Sequence, residues 1–196
     1  MVSVSNHTLK PSDCVLVCGI PICEEDFWDA KDDGLERDFA INCCPVWDKY
    51  YVEAICYLEK IEPYLKKLGV RIIHRLKLSD FRNLFDDNLN KVIILFSHWK
   101  DDSVEFFDGM ATSDAVVNEV PENFEGIIDL CVCHPTNLVI KLRNHLPPSS
   151  LIRFIDKKTT PYKWLYFYWA VFTILHDSEV SYLEALEQSV KAFAEI

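Results

Sequence analysis

Val92-Ile-Ile-Leu-Phe96 runs without a polar interruption into Ser97-His98. A strand with one wet face alternates apolar and polar residues, whereas an unbroken apolar run of this length reads as a strand buried on both faces. Strands of that kind belong to parallel sheets, which need helices above and below. Working outward, Gly126-Ile-Ile-Asp-Leu-Cys-Val-Cys133 is a second such run, and Cys14-Val-Leu-Val-Cys18 a third that stops at Gly19. Val70 to Leu76 and Leu151 to Ile155 read as further strands.

Between the strands the period changes. From Trp47 to Leu68, Val52, Ile55, Leu58, Ile61 and Leu65 recur at helical spacing, with Gly69 as the stop and Pro63 expected to kink or divide the helix. Ser79 is expected to cap a short helix through Phe81, Leu84 and Phe85, and Thr112 or Ser113 to open another through Val117. Thr136 to His145, Pro161 to Leu175 and Ser181 to Phe193 complete the helices. Ser103-Val-Glu-Phe-Phe-Asp-Gly109 alternates and turns at Asp-Gly, which predicts a hairpin arm. Residues 20–45, with Pro21, Gly34, Pro45 and the acids Glu24, Glu25, Asp26, Asp29, Asp32 and Asp33, read as a long loop holding at most one short helix. The expectation is one α/β domain over residues 1–196: a mostly parallel central sheet, helices on both faces and a small β-hairpin arm.

Composition narrows the function. Apolar residues make up 49% of the chain, enough for a packed core, and the net charge of −11 repels a phosphate backbone, so nucleic acid is not an expected partner. A basic peptide or protein is the easier electrostatic match. Met1–Lys10 has neither a basic nor an apolar signal region, so a cytoplasmic setting with reduced thiols is expected for the eight cysteines. Tyr162–Leu175, the most apolar stretch, is too short to span a bilayer, and no membrane association is expected. Gly-rich phosphate loops are absent, which excludes nucleotide cradling of that kind. The cysteines form no paired CxxC knuckles, and no structural metal or other cofactor is expected.

Ligands in open parallel sheets bind beyond the carboxyl ends of the strands. The two strongest strands end in His98 and Cys133, so pairing them side by side brings an imidazole and a thiol to one edge. Cysteine nucleophilic catalysis needs that juxtaposition, because the imidazole helps generate the thiolate and later protonates the leaving amine. A helix starting near Thr136 turns its positive end toward Cys133, which favours the thiolate.

The segments Phe96-Ser-His98, Ser103–Gly109 with its Asp108-Gly109, and Asp129-Leu-Cys-Val-Cys133, in that order, resemble the core of the CHAT domain, a caspase- and separase-related cysteine peptidase family. Trp164 to Leu175 and Val180 to Phe193 are similar to that family's last two helices, and the resemblance covers roughly residues 70–194. It implies a caspase-like three-layer sandwich, His98 as catalytic base and acid, and Cys133 as nucleophile. The backbone N–H groups of Trp99 and Cys133 would form the oxyanion hole. Asp156, and with it Asp129, would line a pocket for a basic substrate side chain. The implied activity is endopeptidase cleavage of a protein or peptide, needing a regulatory partner or activating signal.

Trp99 stands where the family has Gly after the His, and His134-Pro135 where it has a small-residue turn after the Cys. These departures motivate an alternative, a catalytically inactive caspase-like module that binds another protein. A third reading takes Cys131, Cys133 and a His as metal ligands. His134 is expected in a neutral loop role and His74 as a core or edge residue.

Overall fold

In the computed structural model, which describes residues 8–32, 45–86, 90–157 and 160–194, the apolar runs become the centre of a parallel sheet. Cys14–Cys18 forms β1, Arg71–Ile73 β2 and Val92–Phe96 β3. A second group, β4 (Trp99–Lys100), β5 (Ser103–Phe106) and β6 (Gly109–Thr112), is antiparallel. Ile127–Cys131 forms β7 and Leu151–Phe154 β8. The main sheet has the order β2-β1-β3-β7-β8, all pairs parallel. The chain therefore leaves β1 toward one edge and returns on its other side, so a topological switch point lies between β1 and β3.

Burial on both faces explains the unbroken apolar runs. Every residue of β1, β3 and β7 is buried. Side chains alternate along them: Leu16, Ile94 and Ile127 pack into one apolar cluster, Val17, Ile93, Leu95 and Ile128 into another. The first cluster is completed by α3 (Cys56–Leu68), α8 (Pro161–Asp177) and α9 (Tyr182–Ala194), through Leu58, Ile61, Leu65, Leu165, Phe172 and Ala185. The second is completed by α4 (Leu78–Phe81), α5 (Asn83–Asp86), α6 (Ser113–Asn118) and α7 (Thr136–His145), together with Val104 and Phe106 of the small sheet. Among the described residues, no helix is long and apolar enough to cross a membrane.

Local differences from the sequence reading have physical causes. Pro63 lies inside α3 without dividing it. It is exposed, on the side where a freed carbonyl can turn to water. The irregularity falls earlier, where α2 (Trp47–Tyr50) passes through a π-helical segment at Tyr51–Ile55. Ser79 does not cap α4; Asp108, in the β5–β6 turn, accepts the Leu78 N–H at 3.0 Å. Thr112 does cap α6, its Oγ1 accepting the Ala115 N–H at 3.3 Å. The strand after Gly69 is shorter than Val70–Leu76, because Arg75 turns the chain at φ +55°. Within the acidic segment, Glu24–Asp32 forms a helix, α1. Asp33, Gly34, Cys43 and Cys44 lie outside the described residues.

The expected hairpin arm has a third strand. Asp101 and Asp102, at φ +46° and +60°, make the two-residue turn that folds β4 back on β5, the backbone hand that such turns require. The arm lies across the switch point. A Cβ at Gly19 would overlap the Glu105 carbonyl oxygen and come within 2.9 Å of the Phe106 Cα. Ser97 Oγ also donates to the Glu105 carbonyl. The crevice between β1 and β3 is thus covered by β5, and the adjoining edge, between β3 and β7, is the next place where strand ends converge.

Candidate active site

β3 and β7 run in register, with Phe96 opposite Cys131. The ladder extends one step further, the Ser97 N–H donating to the Cys131 carbonyl at 3.4 Å. His98 and Cys133 each lie two residues beyond this last register pair. Phe96 and Cys131 both pack into the cluster under α3, α8 and α9; His98 and Cys133 lie past the strand ends, Cys133 in a bend. Both are half-buried.

The other strand cysteines differ. Cys14, Cys18 and Cys131 are buried. Burial pushes the Cys131 thiol well above its ordinary range, and the nearby Asp129 carboxylate adds to the shift. Burial does the same at Cys18, reinforced by Glu62. A thiol held in its neutral form is a poor nucleophile at neutral pH. Among the described residues, no group of three or more His, Cys, Asp or Glu side chains comes together as a metal site.

The backbone around the pair bears on oxyanion binding. In β4–β5 the two-residue turn makes Lys100 and Ser103 a hydrogen-bonded pair, and the Glu105 N–H donates to the His98 carbonyl at 2.9 Å. Antiparallel pairs alternate, so Trp99 and Val104 form a non-bonded pair and the Trp99 N–H points away from β5, off the open edge of the small sheet. Trp99 is not among the residues with positive φ, so its position does not demand glycine.

The turn after Cys133 is unusual. His134 has φ +50°, whereas a residue before proline ordinarily takes an extended conformation. For a non-glycine residue the left-handed region costs about 1–2 kcal/mol. Pro135 then stands at the N-cap of α7, with its carbonyl accepting the Val139 N–H at 2.9 Å, and the first turn holds no acidic residue. The positive end of this ten-residue helix consequently faces the Cys133–Pro135 segment without an opposing carboxylate of its own.

The two carboxylates read from the sequence sit at different depths. Asp156 follows β8 on the exposed rim, where the His134 Nδ1–H donates to its Oδ1 at 3.1 Å. The loop role expected for His134 thus includes a hydrogen bond to the segment after β8. Asp129 lies beneath the sheet, fully buried, accepting from Arg153 Nη1 at 2.9 Å and from the Tyr182 hydroxyl at 2.8 Å. Arg153 Nη1 also donates to the Tyr168 hydroxyl at 3.1 Å, and its guanidinium lies over the Trp164 and Phe167 rings. Asp129 is therefore engaged under the sheet, whereas Asp156 is exposed on the rim after β8. His74 is half-buried, its Nε2 2.8 Å from Glu62 Oε2.

A cavity of about 430 Å³ lies elsewhere, at the amino edge of the sheet between the segment before β1 and the end of α8. Leu9, Pro11, Leu68 and Leu175 are among its lining residues, and none of the strand-end residues described above reaches it. The contact that sequence reading missed is His134–Asp156. Its only sequence signal is that each residue follows closely on a strand end. The chain matches no protein-family model, and no curated protein matches it.

Proposed function

We propose that the chain is a caspase-like cysteine endopeptidase, similar to CHAT domains, with His98 and Cys133 as its dyad. The observation that carries this reading is the register of β3 and β7, which sets the two residues at equivalent steps beyond adjacent paired positions. Cys133 Sγ attacks the carbonyl carbon of the scissile peptide bond, and the oxyanion forms within reach of the Trp99 and Cys133 N–H groups. His98 gives its proton to the departing amine, which leaves as the C–N bond breaks. Water then attacks the thioester, His98 accepts its proton, and the acid product departs with Cys133 regenerated. None of these steps requires a metal or organic cofactor. Asp156, exposed on the rim and bonded to the residue that follows Cys133, and the net charge of −11 favour a protein or peptide substrate with a basic side chain at the cleaved bond. A cytoplasmic setting and a regulatory protein partner belong to the same proposal.

The test is cleavage of a mixed peptide library by the wild-type chain, by Cys133→Ala and by His98→Ala. The dyad predicts turnover in the wild type and a loss of at least about a thousandfold in each variant. Equal turnover in all three, or none with any candidate activating protein, would sink it.

A second reading has its own observation. Trp99 and His134-Pro135 flank the dyad where the resemblance calls for glycine and small residues. On that reading the domain binds a protein partner without cutting it, and Cys133 reacts with an electrophile no faster than an ordinary exposed thiol.

A further inference from the structure

We infer that His134 and Asp156 form a positioning pair that holds the turn carrying Cys133, a role distinct from the substrate pocket suggested for Asp156 above. Three observations converge. The residue directly after the thiol sits in the left-handed region, at φ +50° and before a proline, a conformation the local sequence does not favour. Its imidazole donates to a carboxylate on the neighbouring strand end, at 3.1 Å. Pro135 and the positive end of α7 follow at once. The bond therefore spans the rim from β7 to β8 and constrains the one segment whose path decides where the thiol and its backbone N–H point. Strained backbone persists where its surroundings hold it, and here the Asp156 bond is such a tie.

The placement of the charged groups gives the pair a direction of action. His98 arrives from β3 on one side of Cys133 and Asp156 from β8 on the other. With Asp156 bound to His134, a carboxylate oxygen accepts from the imidazole and is drawn toward it. A carboxylate left loose beside the thiol would instead oppose the thiolate. Breaking the pair both frees the turn and exposes the thiol to that charge, and each effect lowers the thiolate fraction at neutral pH.

This inference rests on Cys133 as the working thiol, but its test reads thiol chemistry rather than peptide cleavage. The rate of carbamidomethylation of Cys133 by iodoacetamide is followed by mass spectrometry from pH 5 to 10, in folded protein verified by circular dichroism. His134→Gly removes the imidazole while relieving the strain, and His134→Ala removes it while keeping the strain. His134→Asn tolerates the left-handed region and keeps a donor for Asp156. The pair predicts that Gly and Ala both slow labelling at pH 7 by about tenfold, equivalent to a rise of about one unit in the midpoint. Asn restores the rate to within about threefold of wild type. Asp156→Ala frees the turn but also removes the charge, so it slows labelling less than His134→Gly, and the double variant matches Asp156→Ala instead of summing the two losses, as expected for one shared interaction.

Iodoacetamide carries no basic side chain, so an Asp156 effect on it cannot come from a substrate pocket. Wild-type profiles in His134→Gly and Asp156→Ala, or a faster His134→Gly, overturn the positioning pair. A wild-type midpoint at the ordinary cysteine value tells instead against the dyad, and the difference between variants still decides the pair.

Discussion

Asp129 and Arg153 join β7 to β8 from beneath the sheet, while His134 and Asp156 join the segments that follow the same two strands. The first pair is cross-strand in register, with side chains 0% and 14% exposed. The second is 58% exposed on both sides. Low dielectric and dense hydrogen bonding make the first a fixed part of the architecture. Water and salt make the second weak as a source of stability. The contrast separates two tasks that the same pairing chemistry performs. The buried pair fixes where β7 lies, and hence where Cys131 and the start of the thiol-bearing turn must be. The rim pair acts on the turn alone.

The largest expected effect comes from breaking the buried pair. Arg153→Met leaves the Asp129 carboxylate enclosed with no cation, only the neutral Tyr182 and Tyr168 hydroxyls on it, and an uncompensated buried charge costs about 3–5 kcal/mol. Chemical denaturation should report that loss in unfolding free energy. Removing the charge as well, in Asp129→Leu/Arg153→Met/Tyr182→Phe, should recover most of it, because a well-packed apolar replacement avoids desolvating two ions. A single-variant loss below about 1 kcal/mol would place the buried pair in the same class as the rim pair and remove the distinction.

Glu62 supplies an intermediate case at the far edge of the sheet and sharpens the scale. Its side chain is 15% exposed and lies 2.6 Å from Lys66 Nζ and 2.8 Å from His74 Nε2. Burial pushes its carboxyl up, but the bonds from Lys66 and His74 outweigh that and hold it below the usual carboxylate range. A carboxyl depressed in the folded state stabilises the fold above its unfolded value, and that stabilisation disappears as pH falls through the lower folded value. Glu62→Gln should therefore cost about 1 kcal/mol at pH 7 and progressively less as pH falls below the usual carboxylate range, measured as the pH dependence of unfolding. A cost that stays constant down to pH 3 would assign the effect to packing instead of charge.

The same contrast explains what could be read from the sequence. Val92–Phe96, Cys14–Cys18 and Ile127–Cys131 were legible as strands because burial on both faces leaves only apolar choices at nearly every position, and Thr136–His145 because its apolar spacing and ends agree. That the strands leading to His98 and Cys133 lie side by side was legible because the two strongest apolar runs take the two adjacent central places of a parallel sheet. Asp129 was the single charged residue inside the three central strands, and its need for a partner was plain, but Arg153 and Tyr182 come from elements 24 and 53 residues away. The β4 strand, the Asp108 cap on α4 and the His134–Asp156 bond were not legible. The last two depend on where a segment 30 or 22 residues away crosses, and β4 on a two-residue Asp101–Asp102 turn that lacks the glycine usual at such positions.

The smallest expected effect is the most discriminating. Asp156→Ala removes an exposed partner whose contribution to stability is about 0.5 kcal/mol or less, so its unfolding free energy should match wild type within error. Were the rim pair only another tie between β7 and β8, nothing else would change. The positioning role requires a thiol whose reactivity profile moves although the stability does not. That split cannot be produced by the buried pair, where disturbing Asp129 would alter both together, because the strand that carries Cys131 would lose its anchor. High salt should also screen the rim bond in the unaltered protein, moving the Cys133 labelling profile toward that of Asp156→Ala while leaving the Arg153 pair largely unaffected. A salt-insensitive profile in the wild type would show that the turn holds its left-handed residue without help from β8, and the two pairs would then differ in depth alone.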